Sequence, residues 1–219
     1  EGAQEDIDDL IRVVSSTSIV CEADSNYDKG VAEINRNGSA IVDDYLLDAL
    51  KASLSLQEKT NGYFSPFLGG LTDLWLSNLQ NNKIPEEGEI AAELARISQT
   101  SLSFNGNEVI KNGEANLDLG AIGKGLCLER VKKTLEEKGI TRYWVSAGGS
   151  SIAFGENPNG KNGFTTVEFE DLPEKSYLAK NESLSVSSCQ RQLYEVGGKR
   201  YSHIVNPFTG SAEVDIEAV

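Results

Sequence analysis

The chain reads as an α+β protein with mixed or antiparallel sheets and packed helices. Two observations predict that class. Apolar residues recur at helical spacing in several stretches of the first part of the chain, whereas from Tyr143 onward short alternating runs and glycine turns dominate. Helices clustered early and strands clustered late favour α+β over a doubly wound parallel sheet. At 219 residues the chain is long enough to bury a substantial core.

The elements follow in order. Asp6 to Val14 reads as a short amphipathic helix. Asp43 or Asp44 is placed to cap a second helix, which carries Leu46, Leu47, Leu50 and Leu54 on one face and ends before the Asn61-Gly62 turn. Pro85 and the acidic Glu86, Glu87 and Glu89 open a third helix with Ile90, Leu94 and Ile97 apolar. Those carboxylates suit the positive end of a helix better than they suit a metal. Gln80 to Lys83 reads as a polar loop. Alternation up to Leu119 reads as the end of a strand, and Leu128, Val131 and Leu135 mark a helix from Lys124 to Lys138 with Gly139 as its left-handed cap. Later, Phe164 to Phe169 alternates, as do Leu184 and Val186. Val196-Gly197-Gly198-Lys199 makes a hairpin turn, and Tyr201 and the histidine after it continue a strand.

Charged residues at 25% and hydrophobic residues at 39% fit a folded globular chain. The net charge of −14 argues against nucleic acid or an anionic membrane as a primary partner. No apolar window of roughly eighteen residues is present to span a membrane. The three cysteines, Cys21, Cys127 and Cys189, lack metal-type spacing, and Cys127 reads as a packed small residue.

Two segments carry unusual chemistry. The single histidine lies in Tyr201-Ser202-His203-Ile204-Val205-Asn206-Pro207-Phe208-Thr209-Gly210. Histidine is the one side chain that ordinarily titrates near neutrality, and Asn-Pro and Thr-Gly pairs beside it form a turn on which a site can be built. A lone histidine next to a turn is also, by itself, compatible with plain packing. The second segment is Leu117-Asp118-Leu119-Gly120-Ala121-Ile122-Gly123-Lys124-Gly125. A glycine-rich turn opening a helix offers backbone N–H groups and a positive dipole end to an anion such as a diphosphate, and Lys124 adds a charge. It is not a P-loop, because Asp118 and Gly125 stand where that motif needs Gly and Ser or Thr. On its own the segment reads equally as a structural turn.

Together these segments resemble the ApbE-like family of FAD:protein FMN transferases, whose motifs are close to L-D-L-G-[AG]-I-[AG]-K-G and H-I-[IV]-[DN]-P-x-T-G. Between them, Tyr143 to Ser150 resembles the family's V-x-x-G-G-[DN]. Upstream, Thr60-Asn61-Gly62-Tyr63-Phe64-Ser65-Pro66 resembles T-x-G-[AY]-F-[DS]-P, Leu71 to Trp75 resembles P-L-x-x-L-W, and Glu33-Ile34-Asn35 resembles the family's early [SE]-x-[IL]-x-x-[LF]-N region. The resemblance runs from about Ser25 to Gly210 and implies an ApbE-like, T-fold-like architecture.

The resemblance also implies a chemistry. Family members bind FAD, cleave its diphosphate with magnesium and pass the FMN half to a threonine hydroxyl of a target flavoprotein; some hydrolyse FAD to FMN and AMP. His203 then matches the general base. Asp118 and Lys124 match contacts to the flavin nucleotide, and the Ala121 carbonyl matches a ligand of Mg2+. Tyr63, Phe64 and Ser65 match a segment lining the flavin pocket, although Phe64 reads equally as core. Val205 matches a contact after the histidine. By family habit the protein is exported, as a membrane-anchored lipoprotein or a periplasmic protein of a bacterium.

The chain departs from the pattern in places. Ser65 stands where the family usually has aspartate. The family's early flavin-side aromatic aligns with Ser25 or Tyr27, and its T-S-G-x-Y appears as Ser187-Ser188-Cys189-Gln190-Arg191. The family's second metal motif, D-A-x-x-T, follows T-G at a distance beyond Val219. The expectation is therefore one domain over residues 1–219, truncated before that motif. The alternative functions are an FAD pyrophosphatase, or a catalytically silent flavin-binding module that lacks the second metal motif.

Overall fold

The computed structural model describes residues 28–148, 150–157, 164–165, 178–187 and 193–214, together with Glu5 and Leu10. Glu5 and Leu10 are helical, and the rest of the expected first helix lies outside the described residues. The chain divides into two compact units. One comprises Glu1–Thr17 with Lys124–Ser187, and the other Ser18–Gly123 with Ser188–Val219.

The larger unit begins with helix α1 (Val31–Asn37), closed by Gly38 in the left-handed conformation at φ 77°, whose N–H bonds to the Ile34 carbonyl. Strand β1 (Ser39–Ile41) follows. Helix α2 (Asp44–Lys59) starts as expected, since Asp43 accepts a hydrogen bond from the Leu46 N–H at 2.8 Å. Its apolar face buries Leu46, Leu47 and Leu50. Helix α3 (Gly69–Gln80) has no counterpart among the expected helices. Its Gly-Gly start and polar interior give little local signal, and burial of Leu71, Trp75 and Leu79 holds it. The polar run after it closes as a turn in which Lys83 donates to the Asn78 carbonyl.

Helix α4 (Glu87–Gln99) starts at the expected place, with the Glu86 N–H bonded to the Glu89 carboxylate at 2.9 Å. Strands β2 (Ser101–Asn105) and β3 (Glu108–Asn112) form an unanticipated hairpin, and β3 also pairs with β1, all antiparallel. Near the C-terminus, β9 (Tyr194–Val196) and β10 (Lys199–Tyr201) form the expected hairpin. Its two central glycines, Gly197 and Gly198, have φ 62° and 77°, as a tight turn matched to strand twist requires.

Two expectations are corrected in this unit. Ala115 to Leu119 is not a strand. Ala115, Leu117 and Leu119 are buried as alternation predicts, but no neighbouring strand pairs with them. Side chains and isolated carbonyls take the place of the ladder. Second, His203 is not in a strand: β10 stops at Tyr201, and the Ile204 N–H bonds back to the Ser202 hydroxyl at 3.1 Å. That local bond bends the chain away from the hairpin.

Helix α5 (Gly120–Glu137) runs from the larger unit into the smaller one. It begins four residues before the expected Lys124, so the glycine-rich run is the first turns of the helix itself. Leu128, Val131 and Leu135 are its buried face, and Gly139 (φ 72°) closes it with its N–H on the Glu136 carbonyl. In the smaller unit, β4 (Trp144–Ala147), β5 (Ser151–Phe154) and β8 (Ser183–Ser185) form an antiparallel sheet in the order β4-β5-β8. A second pair joins β6 (Phe164–Thr165) and β7 (Leu178–Ala179). The remainder of the alternating Phe164 to Phe169 run lies outside the described residues. All strand pairs among the described residues are antiparallel, within the predicted α+β class.

Candidate functional site

The histidine loop rests on an apolar base. Leu71 and Trp75 of α3 pack with Tyr201, Val205 and Ala212, and Ile90, Leu94 and Ile97 of α4 pack against the same cluster. The Trp75 ring stacks on Tyr201 with centroids 5.4 Å apart and planes at 26°. Its indole N–H donates to the Gly210 carbonyl at 2.6 Å. Gly210 has φ 70°, and a Cβ there would meet Ile90 Cγ2 at 2.3 Å, so only glycine lets the loop approach α4 so closely. Asn206 organises the turn: its side-chain oxygen accepts the N–H groups of Phe208 and Thr209 at 2.9 and 3.1 Å. Ser202, buried next to the histidine, donates its N–H to the Ala212 carbonyl at 3.0 Å. His203 is thus half-buried on a loop pinned at both ends.

The segment before α5 is held differently. The Ala115 N–H bonds to the Thr100 hydroxyl at 3.0 Å and the Ala115 carbonyl accepts Lys111 Nζ at 3.0 Å. The Asn116 carbonyl accepts the Gly69 N–H at 3.1 Å. Leu117 is gripped on both polar groups by the Asn35 carboxamide, at 2.7 and 2.9 Å. The Asp118 N–H reaches the Pro66 carbonyl at 2.8 Å. Burial pushes the Lys111 ammonium below the ordinary lysine value, and Glu114 partly restores it.

Asp118 Oδ1 accepts the Gly120 N–H at 2.6 Å and so caps the start of α5. A Cβ on Gly120 would lie 2.9 Å from that oxygen, whereas one on Gly123 or Gly125 would meet nothing within 4 Å. Space is open beside Gly123, but the first N–H groups are engaged: that of Gly120 by Asp118 Oδ1, and those of Ile122 and Gly123 by the Leu119 carbonyl at 3.0 and 2.7 Å. The helix dipole favours an anion at this end, and the Asp118 carboxylate already supplies one.

The remaining residues fall as follows. Tyr63 is 72% exposed and meets the exposed Phe208 edge to face, with centroids 5.0 Å apart. This contact joins the Thr60–Pro66 segment to the histidine loop, and the Pro66–Asp118 bond joins it to the start of α5. Phe64 is half-buried, with its N–H on the Thr60 hydroxyl. Ser65 is buried, and its hydroxyl oxygen accepts the Phe67 N–H at 3.2 Å. The Val205 side chain belongs to the core cluster. Ala121 is exposed in the first turn of α5. Lys124, in the smaller unit, donates to the Ser150 hydroxyl at 2.7 Å, near the left-handed Gly148. Sequence reasoning did not single out Asn35 for any role, nor Phe208. Asn35 lies 82 positions from its partner, so no local pattern announces the bond.

A divalent cation is a different matter. Among the described residues no three His, Cys, Asp or Glu side chains gather as a metal site. The Ala121 carbonyl alone does not make one, since magnesium takes close to octahedral coordination by oxygen. Cys127 is half-buried and its thiol is pushed up by burial, which suits packing and not nucleophilic attack.

The Thr60–Pro66 segment, the start of α5 and the histidine loop thus adjoin within the larger unit. The ApbE family profile matches residues 3–219, and the chain belongs to the ApbE family. It is 29% identical over 180 residues to the FAD:protein FMN transferase of Klebsiella pneumoniae (strain 342), covering 77% of this chain and 51% of that protein. Against the FAD:protein FMN transferase of Treponema pallidum (strain Nichols) the identity is 24% over 237 residues, covering 97% of this chain and 65% of the other. The chain thus spans about half the length of the Klebsiella relative. The crystal structure of the ApbE protein from Thermotoga maritima superposes with a TM-score of 0.85 at 21% identity, covering 98% of this chain and 72% of that one. The apo flavinyl transferase ApbE of Pseudomonas stutzeri gives 0.83 at 21% identity, covering 98% and 70%. At these identities the structural likeness establishes the fold.

Proposed function

We propose that this chain carries the flavin-handling part of an FAD:protein FMN transferase, which moves FMN from FAD to a threonine hydroxyl of a target flavoprotein. The observation that carries the reading is the joining, within one unit, of three motif segments: Tyr63–Pro66, Asp118–Gly120 and His203–Gly210. The activity of the related FAD:protein FMN transferases supports it.

In the reaction the acceptor oxygen bonds to the phosphorus on the riboflavin side of FAD. The bond from that phosphorus to the bridging oxygen breaks, and AMP leaves with the electron pair. His203 takes the proton of the attacking hydroxyl. The positive end of α5 offsets phosphate charge in a chain whose net charge is −14. With water as acceptor the same site releases FMN and AMP.

Magnesium dependence belongs to this reading through the family resemblance and the need to neutralise a diphosphate. The described residues do not assemble that site, so no step is drawn through the ion. An extracytoplasmic location and a single-domain organisation also belong to the reading and rest on the resemblance. Among the described residues no helix is long and apolar enough to cross a membrane.

The test is incubation with FAD and magnesium, with and without a threonine-bearing acceptor peptide, followed by mass spectrometry and flavin chromatography. A peptide that gains the mass of FMN establishes transfer. His203→Ala should lower that rate by about 100-fold or more with an unchanged denaturation midpoint. Free FMN and AMP alone would replace transfer by hydrolysis, and unchanged FAD would replace turnover by binding.

A further inference from the structure

We propose that Asn35 is a positioning residue: its carboxamide substitutes for a strand partner at Leu117 and sets the orientation in which Asp118 and the first turn of α5 meet the flavin nucleotide. The inference rests on the functional reading above for its ligand, and on geometry alone for its structural half.

A side-chain carboxamide has the same donor and acceptor as a peptide group. Asn35 offers both to one residue, donating to the Leu117 carbonyl at 2.9 Å and accepting the Leu117 N–H at 2.7 Å. That is the doubly bonded rung of an antiparallel ladder, built from a helix. The helix is a firm support: Val31 and Ile34 of α1 have no exposed surface, and Gly38 closes its end.

Burial alone does not set this orientation. Leu117 and Leu119 are fully buried, which holds the segment in place. Apolar contact is non-directional, however, and does not choose how the intervening peptide planes face. Hydrogen bonds do. Asn35 fixes the plane at Leu117, the Pro66 carbonyl fixes the next N–H at Asp118, and Asp118 Oδ1 then fixes Gly120. With Leu117 released, the cap on α5 loses its reference. A misplacement of about 1 Å at such a site is enough to cost up to 100-fold in rate.

The experiment compares Asn35→Ala and Asn35→Asp with an Ile34→Val or Ile34→Ala variant matched to them in denaturation midpoint. Hydrogen exchange is followed at Leu117 to Gly123 and in the β9–β10 hairpin, and FAD affinity is followed by flavin fluorescence. Expected is at least about tenfold faster exchange at Leu117 to Gly123 and at least about tenfold weaker FAD binding in the Asn35 variants, with the hairpin unchanged. Asn35→Asp keeps the volume and removes the donor, so it carries the test if Asn35→Ala does not fold. Equal behaviour of the Asn35 and Ile34 variants would overturn the proposal, because a merely structural role acts through stability alone. The exchange measurement needs no flavin. A wild-type chain that takes no FAD would overturn the functional reading, while exchange at Leu117 to Gly123 would still decide the role of Asn35.

Discussion

The two halves of the site are held by opposite means. The histidine loop, from Ser202 to Ala212, sits on buried rings and aliphatic chains, with the Trp75 indole N–H bonded to its Gly210 carbonyl. The segment from Ala115 to Gly120 has buried leucines too, but its backbone is gripped by Asn35, Thr100, Lys111, the Gly69 N–H and the Pro66 carbonyl. Apolar burial is non-directional and ties the first region to the stability of the whole unit. Hydrogen bonds are directional and make the second a locally specified structure. The first arrangement suffices for the histidine loop because the loop has its own internal bonds through Asn206. The start of α5 is of the second kind, since the Asp118 carboxylate holds the Gly120 N–H in one direction.

Mutations can break this contrast. The largest effect is expected from Trp75→Ala, which removes a 4%-exposed indole from the base of the histidine loop. It should cost about 3–5 kcal/mol of unfolding free energy in denaturant titration, lowering protection throughout the larger unit. A loss confined to the loop would show that the apolar base is not shared. A smaller effect is expected from Thr100→Val, which keeps shape but strands the Ala115 N–H. About 1–3 kcal/mol should be lost, with faster exchange concentrated near Ala115 to Asp118. Exchange spread evenly over the unit would instead argue that the polar segment is held as the loop is.

The smallest effect concerns pH. Burial lowers the Lys111 pKa in the folded chain. Between that lowered value and the ordinary lysine value, the unfolded chain binds more proton than the folded one, so stability rises with pH through this window. Relative to Lys111→Met, the wild type should gain stability as pH is raised from neutrality toward the ordinary lysine range. A pH-independent difference would show that the ammonium keeps its ordinary hydration and that its bond to the Ala115 carbonyl involves no burial cost.

Local signals in the sequence were enough for several elements. Asp43 before an apolar face, Pro85 with Glu86 and Glu89, Gly139 after Leu135, and the Gly197-Gly198 pair each act within a turn or two of themselves, and each appears where expected. The β2–β3 hairpin turns on Gly106-Asn107, with Gly106 at φ 59°, an equally local feature. The motif residues His203, Asp118 and Tyr63 were legible for the same reason: short strings of residues with specific chemistry survive without their surroundings.

The tertiary structure decided the rest. Helix α3 has a glycine start and weak propensity, and it exists because Leu71, Trp75 and Leu79 find residues more than a hundred positions later. Alternation up to Leu119 correctly marked which side chains are buried, yet a period of two says nothing about what satisfies the backbone between them. Here a carboxamide 82 residues away does so, and the expected strand becomes a clasped segment with a helix starting at Gly120. The sequence by itself determined the local elements and the identity of the reactive groups, because those follow from neighbours along the chain. Only the tertiary structure determined how the groups are oriented and joined, because hydrogen bonds and apolar contacts between distant residues carry no trace in either segment alone.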